Sequence, residues 1–177
     1  QAAREAAAAA APTPLCPPAR PQEYKEFARS PDREAGIDLV PDEADVQRWT
    51  AWLAGPPGTP YEGSEFEVRI AVPDAYPLHP PSLTFATRVF HPNIHFATGE
   101  VCVDILKGAW SPAWTLVSVC HAVRALLSSP APDSPLNCDA GNLLRAGDAR
   151  GFASLARMYA VEHARGGRNG RGGGAAR

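Results

Sequence analysis

Lysine is nearly missing from this 177-residue chain: Lys25 and Lys107 are its two lysines, and the remainder of the 17 basic residues are arginine. Net charge is also missing. A formal value of -2 gives no electrostatic case for a nucleic-acid partner, and none is expected. Long apolar runs are absent, since nothing nears the ~20 residues a membrane-spanning helix needs. Direct membrane insertion is therefore not expected. Residues 1–11 are alanine-rich but carry Arg4 and Glu5 and lack an apolar core, so no signal peptide is expected. The four cysteines, Cys16, Cys102, Cys120 and Cys138, show neither metal-ligand spacing nor a dense disulfide framework. A reducing compartment is the default, with Cys102 free. No metal site and no cofactor are expected.

What is present divides into an arm, one domain and a tail. Residues 1–19 are rich in alanine and proline and read as a disordered arm, because Pro12, Pro14, Pro17 and Pro18 interrupt the helix that alanine favours. Residues 165–177 are rich in glycine and arginine and read as a flexible tail. Between them, residues 20–164 are long enough to bury a real core.

Pro21 opens a helix to about residue 29, with Tyr24 and Phe27 on its inner face and Lys25 and Arg29 on a basic one. Four strand candidates follow. Residues 37–40 are short and apolar. Residues 47–54 alternate, setting Trp49, Ala51 and Leu53 against Arg48, Thr50 and Trp52. Residues 65–72 alternate more cleanly, with Phe66, Val68, Ile70 and Val72 inward. Residues 82–87 form the fourth, kept from a tight hairpin with the third by Pro73, Pro77, Pro80 and Pro81. Together they predict an antiparallel meander of an α+β domain. Thr115 caps a helix to about residue 129, whose apolar stripe is Leu116, Val119, Cys120, Val123, Leu126 and Leu127. Residues 137–146 form a short helix stopped by Gly147. Asp148 opens a last helix to about residue 164, with Phe152, Leu155, Ala156 and Tyr159 at helical spacing.

The chemistry concentrates in His91-Pro92-Asn93-Ile94-His95-Phe96-Ala97-Thr98-Gly99-Glu100-Val101-Cys102-Val103-Asp104. Pro92 fixes its own φ and keeps His91 from helical geometry. Gly99 permits a second sharp bend. A loop pinned at both ends can set a thiol beside an amide donor, as acyl chemistry on sulfur requires. Blander readings stand beside this one. A cysteine between valines serves as a small buried hydrophobe, and an asparagine after proline as a turn residue. His91, His95 and Cys102 lack a fourth metal ligand nearby, and Pro92 removes the helix that would align them. A Cys-His hydrolase lacks a marked orienting residue.

His-Pro-Asn followed closely by Cys resembles the active-site segment of ubiquitin-conjugating enzymes. Further motifs occur in the family's order. Tyr76-Pro77-Leu78-His79-Pro80-Pro81 is similar to its Tyr-Pro-x-x-Pro-Pro turn. Trp110-Ser111-Pro112-Ala113-Trp114 resembles the loop opening the next helix, and Pro132-Asp133-Ser134-Pro135-Leu136-Asn137 the segment after that helix. The resemblance covers about residues 20–164. It implies the ubiquitin-conjugating fold, a four-stranded antiparallel meander flanked by about four helices. Most members place eight steps between Asn and Cys. Asn93 to Cys102 spans nine, a longer loop similar to the peroxisomal, peroxin-4 branch.

The resemblance implies that Cys102 carries ubiquitin as a thioester received from an activating enzyme. Asn93 would support the loop and stabilise the oxyanion. His91 and Pro92 would be scaffold, the imidazole bonding backbone nearby. Lys25 and Arg29 would meet the activating enzyme, and Leu78, Pro112 and Ala113 a RING-type ligase. Asp104, on the same side of an extended strand as Cys102, is a candidate for orienting the acceptor. The family often carries an acid where Ser134 stands, so either Asp133 substitutes or amine activation matters less. Lys107 is a candidate for self-modification. A peroxisomal role, in import-receptor recycling, would need a membrane anchor protein at the cytosolic face, because Ala175-Ala176-Arg177 is not a peroxisomal import signal. Two other readings remain: a non-catalytic ubiquitin-binding variant of the fold, and a conjugating enzyme for another modifier such as the SUMO type.

Overall fold

Two alternating stretches build the centre of the sheet. In the computed structural model, which describes residues 20–29, 36–101 and 110–166, β2 (Arg48–Ala54) and β3 (Ser64–Ala71) bury every second residue. Trp49, Ala51, Leu53, Phe66, Val68 and Ile70 face the core, and burying a side chain the size of Val, Leu, Ile or Phe contributes about 1.5–3 kcal/mol. β1 (Ile37–Pro41) pairs with β2, β2 with β3, and β3 with β4 (Ser82–Phe85), all antiparallel, in the order β1-β2-β3-β4. The expected meander is present. Its fourth strand ends at Phe85 rather than Thr87, because the amides of Ala86 and Thr87 both turn onto the Glu67 carbonyl.

Four helices are present among the described residues. α1 (Arg20–Phe27) is shorter than expected: Arg29 lies beyond it, its amide bonded to the Glu26 carbonyl in a turn. Phe27 is buried, while the side chain of Tyr24 lies outside the described residues. α2 (Leu116–Ser128) buries the six residues read from its periodicity. Thr115 caps it, its side chain accepting the Ser118 amide. Cys120 is fully buried, and burial pushes its thiol up to about 12, so it is core and not a nucleophile. α3 (Cys138–Arg145) is capped by Asn137 and α4 (Ala149–His163) by Asp148. Leu155 departs from expectation. It is 36% exposed, and Ala160 takes the inward place that Leu155 was expected to share with Phe152 and Ala156.

The chain after α4 also differs. Residues 165–177 read as tail, yet Arg165–Gly166 forms a strand, β5, against Ser64 and Glu65 of β3. The Arg165 guanidinium sits 3.9 Å from the centroid of the Trp52 ring, a cation–π contact that a composition-based reading does not show. Residues 1–19, and the tail from residue 167, lie outside the described residues.

Candidate active site

The segment after β4 is anchored before it reaches His91. The Tyr61 hydroxyl, wholly buried, donates to the Phe90 carbonyl at 2.7 Å. Next comes an imidazole with no exposure. His91 Nδ1 lies 3.1 Å from the Asn93 amide, and its Nε2 lies 3.1 Å from the Leu126 carbonyl in α2. A backbone N–H can only donate, so Nδ1 must accept and Nε2 must carry the proton. Both ring nitrogens are satisfied only in the neutral form. Burial lowers the His91 pKa to about 4, against a smaller opposing pull from the Leu126 carbonyl.

Asn93 is 2% exposed and reads Ala131 as a peptide: its Oδ1 accepts the Ala131 amide at 2.8 Å and its Nδ2 donates to the Ala131 carbonyl at 2.7 Å. The side chain therefore ties the loop to the chain after α2. An amide NH2 holds two protons, and the second meets no partner among the described residues. Loop support and a further donor role are thus compatible. Pro92 completes the attachment, its carbonyl accepting the amides of Leu136 and Asn137 at 2.7 and 3.0 Å. Asp133 and Ser134, both exposed, belong to this docked segment.

A hairpin then leads towards the cysteine. Ile94 and Val101 form an antiparallel bridge, and His95 donates its amide to the Glu100 carbonyl at 2.8 Å. Gly99 makes the bend with φ 75°, and a Cβ there would lie 2.0 Å from the Phe85 carbonyl oxygen. Only glycine meets both demands. Val101 is held to Leu83 of β4 by a bond of 3.4 Å. Cys102 is next in sequence. Cys102, Asp104 and Lys107 lie outside the described residues.

The loops that carry Leu78 and Pro112–Ala113 are joined to each other. The Trp110 indole donates to the Pro77 carbonyl at 3.0 Å, and its ring packs against Tyr76 and Trp114. Leu78, 71% exposed, and the exposed Pro112 and Ala113 thus stand on two loops locked to each other. Glu23 of α1 joins the same assembly: its carboxylate accepts the Tyr76 hydroxyl at 2.7 Å and the Leu116 amide at 3.3 Å. The sequence reading missed Glu23, although an acid facing the first turn of α2 complements that helix's dipole. It also missed Tyr61, whose partner is 29 residues away. Lys25 and Arg29 are exposed, as an external contact requires. Among the described residues no cluster of three or more His, Cys, Asp or Glu side chains is fit to hold a metal, and no helix is long and apolar enough to cross a membrane.

The family model for ubiquitin-conjugating enzymes matches residues 20–160. This chain belongs to the ubiquitin-conjugating enzyme family. It is similar to Protein PEROXIN-4 of Arabidopsis thaliana, 57% identical over 138 residues, covering 78% of this chain and 88% of that protein. It is 61% identical over 118 residues to ubiquitin-conjugating enzyme E2 pex4 of Dictyostelium discoideum, covering 67% of this chain and 79% of that one. Among solved structures it is similar to the H. polymorpha ubiquitin-conjugating enzyme Pex4p in complex with the soluble domain of Pex22p, with a TM-score of 0.76 and 35% identity over 81% of this chain and 94% of that chain. The resemblance to the peroxisomal branch read from the longer Asn-to-Cys loop agrees with these relatives.

His91 makes stability pH-dependent. Unfolded, the imidazole titrates at its ordinary 6.5; folded, near 4. Below 6.5 the unfolded chain binds the extra proton, so this contribution is complete above 6.5 and is lost as pH falls towards 4. At about 1.4 kcal/mol per pH unit, roughly 2 kcal/mol should disappear between pH 7 and pH 5. Urea unfolding at both values should show this loss in the wild type and not in His91→Gln; equal losses in both would assign the dependence to other groups.

Proposed function

We propose that Cys102 is the nucleophile of this ubiquitin-conjugating enzyme. Its thiolate attacks the carbonyl of ubiquitin bound to an activating enzyme, and the activating enzyme's thiolate leaves. Exchange between thioesters is nearly balanced, so the few per cent of thiolate present at neutral pH suffices without a dedicated base. An acceptor nucleophile then takes ubiquitin and releases the Cys102 thiolate. The observation that carries this reading is the His-Pro-Asn loop: it is fastened to α2, to Ala131 and to Leu136–Asn137, and Val101, which directly precedes Cys102, is fastened to β4.

In this reading Asn93 both holds the loop and offers its second amide proton to the developing oxyanion. Asp104 orients the acceptor. Lys25 and Arg29 meet the activating enzyme. The Leu78, Pro112 and Ala113 loops receive a RING-type ligase, which gains from their pre-set shape. Likeness to the peroxin-4 relatives supports service in peroxisomal import-receptor recycling, at the cytosolic face of the peroxisomal membrane. The H. polymorpha relative was solved with the soluble domain of Pex22p, which supports recruitment by an anchor protein of that kind.

Incubation with activating enzyme, ATP and ubiquitin, run on a non-reducing gel, should give a thiol-sensitive adduct. Cys102→Ser should give a thiol-resistant ester or nothing, and a full thiol-sensitive adduct on that variant would end the assignment. Asn93→Ala should still charge but discharge about 10²-fold more slowly. Equal losses in charging and discharge would leave Asn93 with loop support alone. Leu78→Asp should lower ligase-stimulated discharge and spare charging; equal loss in both would mean Leu78 acts elsewhere.

A further inference from the structure

Phe96 stands at the turn of the hairpin, between His95 and Gly99, and is half-buried by a neighbour from the far end of the chain. Its ring meets Tyr159 of α4 edge to face, with centroids 5.1 Å apart and planes at 79°. Tyr159 also stacks on Phe90, at 5.8 Å and 12°, and Phe90 meets Phe96 edge to face at 6.3 Å. One tyrosine thus touches both ends of the segment that carries the His-Pro-Asn turn: the residue before His91, and the tip beyond Asn93. Arg88 places its guanidinium 5.3 Å from the Phe96 centroid. The tip thus meets two aromatic rings and a guanidinium.

The hairpin itself is short. Between the bridge at Ile94 and Val101 its internal backbone bonds are those of His95 to Glu100 and Gly99 to His95. Its return arm is also held to β4, by the Phe85 amide on the Gly99 carbonyl at 2.8 Å and the Val101 amide on the Leu83 carbonyl at 3.4 Å, and the aromatic grip holds the other arm at Phe96. The two holds together set the line of the return arm, Gly99 to Val101, which precedes Cys102 in the chain.

We propose that Tyr159, acting through Phe96, is a positioning residue for ubiquitin transfer. It fixes the hairpin, so that the chain leaves Val101 in the orientation the reaction needs. The proposal deepens the thioester reading and rests on it. A misplacement of about 1 Å can cost 10²-fold in rate, so the grip matters more to transfer than its modest contribution to stability suggests.

The test is single-turnover discharge of the pre-charged full chain to free lysine and to free cysteine, without ligase, which counts only folded, charged molecules. Tyr159→Ala and Phe96→Ala should each slow discharge about tenfold or more. Tyr159→Phe, which keeps the ring, should stay within about twofold of wild type, and the Tyr159→Ala/Phe96→Ala double variant should be no slower than the slower single one. Phe96→Ala reaches the same contact from the surface and keeps the test decisive if Tyr159→Ala does not fold. Discharge of either Ala variant at the wild-type rate would overturn the proposal. So would multiplied losses in the double variant, or a Tyr159→Phe loss as large as that of Tyr159→Ala. A wild type that forms no adduct would instead defeat the parent thioester reading, and this one with it.

Discussion

An uncharged imidazole sealed inside the protein is the constraint on which the rest depends. His91 accepts from the peptide two residues ahead of it and donates to the last turn of α2, and it can do both only while neutral. The ring is therefore a two-ended connector between loop and helix. A charged or hydroxyl-bearing replacement would leave a buried donor or acceptor unpaired, at a cost of about 1–3 kcal/mol. Pro92 and Asn93 extend the same logic. Their polar groups reach the chain on the far side of α2, so that one tripeptide fastens three segments.

This arrangement bears on how the family chemistry is divided among residues. The amide of Asn93 has already committed its oxygen and one proton to Ala131. Under the proposed function, structural and electrostatic duties would share one side chain, and a substitution there would perturb both. The loops of Leu78 and of Pro112–Ala113 are built separately. Their anchor is the Trp110–Pro77 bond with the Glu23 carboxylate behind it, some distance in sequence from the imidazole connector.

Much of this was legible from residue pattern. The alternation of β2 and β3 and the stripe of α2 are periodic, and burial follows period directly. Gly147 and the caps Thr115, Asn137 and Asp148 are local chemistry, readable within four residues. What escaped was long-range pairing. Nothing near Tyr61 or Glu23 announces a partner at Phe90 or Tyr76, and Tyr159 looked like one more apolar position on a helix. Leu155 was misplaced because the face that α4 buries is turned from Leu155 towards Ala160. β5 escaped because a glycine- and arginine-rich composition says nothing of two residues finding an open sheet edge.

That edge has a consequence of its own. β4 accompanies β3 only along Val68–Ala71, which would leave the backbone at Ser64 and Glu65 available as a template for a strand from another molecule. Arg165 and Gly166 take that place from within the same chain, and the guanidinium laid on Trp52 holds them there. The end of the fold thus acts as a guard against self-association at a stretch where the sheet would otherwise invite it.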